Sequence, residues 1–157
     1  MRYLVLTVFA LLVAVTNSHA ADITTGMTQD RLHDLILEAG SDVLISGNVV
    51  QFTFDGAELL CISDVAADRM RIVSPVIDLR EIESEQLLIA LAANFHTVLD
   101  ARYAISYGAI YAAYIHPLSP LSDEQVISAI RQVASARNTF GNEYSSGELV
   151  FGGARTP

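Results

Sequence analysis

The sequence contains no lysine and no tryptophan, and it has a single cysteine. Each absence excludes something. Without lysine, the nine basic residues are all arginines, set against 18 acidic ones, for a net charge of −9. A nucleic-acid-binding surface needs clustered positive charge to displace counterions from phosphates, so this balance argues against that class. Docking on anionic lipid is disfavoured on the same ground. One cysteine cannot form an internal disulfide. Cys61 lies in the apolar run Leu59-Leu60-Cys61-Ile62, which reads as a buried thiol rather than an intermolecular bridge.

Catalytic patterns are missing too. There is no Gly-x-Ser-x-Gly elbow, and Gly152-Gly153 lies outside any strand–loop–helix unit that would make a phosphate loop. Past residue 20 the histidines are His33, His96 and His116, with none of the compact spacing of a metal site. Glu81, Glu83 and Glu85 lack the Asp/Asn/Gly ladder of a calcium loop and suit a helix start instead. The expectation is a non-enzyme, with no catalytic residue, metal ligand or cofactor to assign.

Long apolar runs are equally scarce, with one exception. Arg2 precedes Tyr3–Val15, which carries no charge and only Thr7 as a polar residue. Ser18-His19-Ala20 then places small residues before a cut between Ala20 and Ala21. This three-part pattern is that of a cleavable signal peptide. The run is too short for a membrane span, which needs roughly 20 residues. Residues 1–20 are therefore expected to be removed, leaving a periplasmic or secreted protein with no membrane span. The remainder divides into a flexible segment 21–27, one domain 28–141 and a loose tail 142–157.

Within the domain, Thr28 caps a helix over 29–39 with Leu32, Leu35 and Ile36 at helical spacing, and Gly40 follows as its stop. Val49–Phe54 and Ala57–Ser63 flank Asp55-Gly56, a type I′ hairpin signal. Arg69–Val76 alternates polar and apolar, and Pro75 places its end at an edge or a bulge. A second helix starts near Ser84, with an apolar stripe of Leu87, Leu91, Phe95 and Leu99 widened by Leu88, Ala92 and Val98. Arg102–Tyr107 and Ala109–His116 form a further hairpin around Tyr107-Gly108. Ser122 and Gln125 make a capping box for a third helix, whose apolar face is Val126, Ile127, Ile130, Val133 and Ala134. Glu148–Phe151 has the makings of a short strand. The order α-β-β-β-α-β-β-α predicts an α+β fold, an antiparallel sheet backed by helices.

Taken in order, helix 29–39, the Phe52-Thr53-Phe54-Asp55-Gly56 hairpin, the apolar second helix and His116-Pro117-Leu118-Ser119-Pro120-Leu121-Ser122-Asp123-Glu124-Gln125-Val126 resemble the YbjN family. That bacterial family shares its fold with type III secretion chaperones. The resemblance implies a homodimer and a non-catalytic role, either as a sensory-transduction regulator or as a binder of extended client segments.

One constellation stands out among the residues themselves. Tyr103, Ile105 and Tyr107 alternate along one strand face, and Tyr111 shares a face with Ala113 and Ile115 on the next. Tyrosine-bearing sheet faces suit interfaces, since the ring offers buried area and the hydroxyl tolerates water. The competing possibility is that these tyrosines pack on the helices. Tyr103, Ile105, Tyr107 and Tyr111 are thus the candidate partner-binding residues, for a protein or peptide partner. The alternative function is an envelope sensor of a small molecule or ion, with a pocket between the second helix and the sheet.

Overall fold

A computed structural model describes residues 26–147. The proposed signal peptide, its Ala20/Ala21 cleavage point and the Glu148–Phe151 strand lie outside the described residues.

The elements run α1 (Gln29–Ala39), β1 (Ser41–Ser46), β2 (Val49–Phe54), β3 (Ala57–Asp64), β4 (Arg69–Asp78), a 3-10 turn (Leu79–Glu81), α2 (Ser84–His96), β5 (Arg102–Ser106), β6 (Ala109–His116) and α3 (Asp123–Thr139). The fold is α+β, and its six-stranded sheet has the order β1-β2-β3-β4-β6-β5 with every pairing antiparallel. The expected order holds, with β1 added in front of the first hairpin.

Local chemistry places most of these elements. The Thr28 hydroxyl accepts from the Arg31 amide and caps α1. Ser122 and Gln125 satisfy each other's free amides and start α3. Asp55 and Gly56 both have positive φ, as do Tyr107 and Gly108, so both hairpins turn in the way that favours right-handed strand twist. Gly40 closes α1 for a different reason from the one expected. Its φ is −98°, an ordinary value, but a Cβ there would lie 2.8 Å from the Phe52 ring and 3.2 Å from the Ile36 carbonyl oxygen. The glycine allows the chain to pass close over β2.

Pro75 marks a bulge, not an edge. β4 is a central strand between β3 and β6, and its pairing with β6 slips between Pro75 and Ile77. The irregularity accommodates a residue with no amide to donate.

The three described α-helices cover one face of the sheet. Val50 and Phe52, Leu59 and Cys61, Met70 and Ile72, and Ile110 and Tyr114 point into that layer with Leu32, Ile36, Val126, Ile130 and Val133. Burying this many large side chains, at roughly 1.5–3 kcal/mol each, is the main source of stability. Both chain ends of the described region are tied to it. The Met27 amide donates to the Ser119 carbonyl, and Met27 is buried. Residues 142–147, expected to be loose, fold back instead. Tyr144 is buried, the Ser146 amide donates to the Thr97 carbonyl, and the Leu99 amide donates to Ser146 Oγ.

Candidate functional site

The four candidate residues do not share one surface. Sheet register explains why. Tyr103 lies opposite Ala112 and Ile105 opposite Ile110, on the helix-covered face, whereas Tyr111 pairs with Ala104 and Pro75 on the other face. Tyr103 is buried. Its hydroxyl donates to the Ala136 carbonyl of α3 at 2.7 Å, and its ring meets Phe140 and Tyr144 edge-on. Burial pushes its phenol up to about 12. Of the two possibilities for this tyrosine, packing on the helices is the one observed. Tyr107 occupies the hairpin turn with positive φ and is fully exposed. Ile105 is 61% exposed although it faces the helix layer, because α2 covers only part of β5.

The second helix departs most from expectation. Part of its predicted core stripe points outward: Leu88 and Leu91 are each 67% exposed and Phe95 79%, whereas Val98, just past the helix, is buried as expected. The buried positions are Ala90 and Ala93, with Leu87 only partly enclosed. α2 sits at the β5 end of the sheet, and its small residues let it approach closely there. Asn94 locks this arrangement, since its side chain donates to the Tyr103 carbonyl and accepts from the Tyr103 amide. The result is an outward apolar ridge, Leu88–Leu91–Phe95, beside Ile105 and strand β5, which among the described residues pairs with β6 alone. Contiguous apolar patches of more than a few hundred Å² mark interaction sites. Sequence periodicity could not select this face, because α2 is apolar around most of its circumference.

The space between α2 and the sheet is small, about 70 Å³, lined by Leu87, Leu91, Ala104 and Ile105 among others. A larger cleft of about 580 Å³ opens on the other flank of α2, toward residues 141–144. Glu83, Glu85 and Glu143 stand around it, with Ile89, Ala92 and His96. Among the described residues, no group of three or more His, Cys, Asp or Glu side chains is placed to hold a metal ion. No described helix is long and apolar enough to cross a membrane.

Cys61 lies in the helix-facing layer and is buried. Burial pushes its thiol up to about 12, far from the thiolate state that reacts. We therefore expect no reaction with an aromatic disulfide reagent over hours at pH 8 in the native protein. One equivalent should react at once in guanidinium chloride. Rapid labelling of the folded protein would contradict this placement.

No known family profile matches the sequence, and no curated protein matches it either. Solved structures do match in fold. A chain of the HopA1-SchA chaperone-effector complex aligns with a TM-score of 0.54 at 14% identity, covering 69% of this chain and 88% of that one. A chain of the ExsC-ExsE complex aligns with a TM-score of 0.54 at 10% identity, covering 71% of this chain and 92% of that one. The fold is type III secretion chaperone-like.

Proposed function

We propose that this chain is a non-enzymatic protein- or peptide-binding domain, chaperone-like or regulatory, exported to the periplasm or beyond and working as a homodimer. The observation that carries the reading is the outward ridge Leu88–Leu91–Phe95 on α2 beside strand β5. A lone domain gains nothing by exposing Phe95, and a second subunit laid on the ridge removes that apolar area from water. Asn94 already takes up the Tyr103 amide and carbonyl on the edge of β5, so the apolar side chains of the ridge carry the reading rather than strand pairing. The chaperone-like fold supports a binding role. The order of elements supports kinship with the YbjN family and its sensory-transduction regulators. The sensor alternative is weaker on geometry: its pocket between α2 and the sheet has about 70 Å³, below the ~300 Å³ of a usual ligand site.

The test is Leu91→Glu combined with Phe95→Glu. Both side chains are exposed, so the variant should keep its circular dichroism spectrum. Light scattering should give twice the monomer mass for the parent protein and the monomer mass for the variant, a weakening of at least about 100-fold. A monomeric parent, or a variant dimer of unchanged strength, would rule the ridge out as the dimer interface. Export is tested separately by N-terminal sequencing of the released protein, expected to begin at Ala21. A product still beginning Met1-Arg2-Tyr3 would refute cleavage.

A further inference from the structure

The sheet has a second face, and none of the described helices covers it. Register places its side chains in rows across the central strands. Leu60 pairs with Val73, and Val73 with Ala113. One step along, Ile62 pairs with Arg71, and Arg71 with Ile115. These six residues form a patch over β3, β4 and β6, the same strands that α3 packs against from the other side. Ile115 is 59% exposed, Leu60, Ile62 and Val73 are half-buried, and Ala113 is buried. Arg71, flanked by two isoleucines, is exposed and takes part in none of the ion pairs among the described residues, which belong to Arg31 and Arg80.

We propose that this open face docks an amphipathic helix of a partner protein, and that the helix brings a carboxylate to Arg71. The inference rests on the protein-binding reading above but uses different residues. The occupant's form follows from what the face offers. A sheet face presents side chains only, because its backbone groups are spent in the ladder. An extended segment lying across it would bury its own amides and carbonyls unpaired, at a cost of a few kcal/mol per group. A helix satisfies its backbone internally and presents an apolar stripe. Its placement would mirror α3 and turn a two-layer domain into a three-layer one.

The occupant's charge follows from Arg71. The exposed Arg71 stands between two isoleucines, and a planar guanidinium is matched by a carboxylate in bidentate contact. A second copy of this chain is a poor match here. Two-fold self-packing about an axis at the centre of this patch would set arginine against arginine.

Two synthetic 18-residue helical peptides provide the probe. They share a leucine face and differ only at its border, one carrying glutamate and the other lysine. Titration into isotope-labelled protein should shift the amides of Ile62, Arg71, Val73 and Ile115. The glutamate peptide should bind at least about tenfold tighter than the lysine peptide, a preference that shrinks as salt is raised. Arg71→Glu should reverse the order of the two peptides. Val73→Asp should abolish binding of both.

Three outcomes would overturn the proposal: equal affinities, no binding of either peptide at millimolar concentration, or shifts confined to α2 and β5. The dimer reading is scored independently, since its readout is the mass of the Leu91→Glu/Phe95→Glu variant.

Discussion

Replacing Tyr103 with serine is expected to lower the unfolding free energy by about 3–5 kcal/mol, the range of large-to-small substitutions of buried aromatics. The ring lies in a layer with Phe140 and Tyr144, at centroid distances of 5.3 and 6.1 Å. Removing it leaves a cavity that α3 and the 140–144 segment cannot both fill. It also leaves the Ala136 carbonyl without its side-chain donor. Tyr107→Ser should by contrast change stability by no more than about 0.5 kcal/mol, since that side chain is fully exposed in the turn. Tyr103→Phe separates the two contributions. It keeps the ring and loses the hydroxyl, at an expected cost of about 1–2 kcal/mol. Urea unfolding of the three variants checks the order. A Tyr103→Ser protein as stable as the parent would mean that the ring is not packed as described.

The contrast between Tyr103 and Tyr107 shows what the chain discloses by itself. Alternation along 102–107 correctly puts residues 103 and 105 on one side. It does not say which side the helices take, and it separates these residues from Tyr111 only once the β5–β6 register is known. Features set by neighbours in sequence were legible: the Thr28 cap, the Ser122/Gln125 box, and the turns at Asp55-Gly56 and Tyr107-Gly108. Features set by distant packing were not. α2 offers apolar residues nearly all round, so its outward ridge is decided by the tight seat of Ala90 and Ala93 near β5. β1 is an edge strand whose pairing slips between Ser41 and Leu44 and whose Asp42 has positive φ. That bulge removes the alternation that marks a strand. Val43-Leu44-Ile45 followed by Gly47 was the remaining signal, a short apolar run and a turn residue. The open-face patch was out of reach for a similar reason. Leu60, Val73 and Ala113 are far apart in sequence and become neighbours only through register.

Gln132 carries the other large effect, and nothing in its sequence surroundings announces it. It sits on the buried side of α3 among Ala129, Val133 and Ala136. Its Oε1 accepts from the Asp100 amide at 2.8 Å and the Ala101 amide at 3.1 Å, while its Nε2 donates to Asp100 and to Ser128. Gln132→Leu preserves most of the volume but strands both amides, and Ala101 is fully buried. At about 1–3 kcal/mol for an orphaned buried group, and with the Asp100 amide nearer to water, the expected loss is about 2–4 kcal/mol. Hydrogen exchange should speed up at Asp100 and Ala101 before it does in the sheet centre. A loss below about 1 kcal/mol, with unchanged exchange at these two amides, would show that the loop is held by something else. The same substitution reaches function. Residues 97–101 join α2 to β5, so Gln132 fixes the angle between the outward ridge and the edge strand beside it. If dimerisation uses both, Gln132→Leu should weaken self-association under conditions where the domain is still folded. It would do so without altering any side chain on the interface.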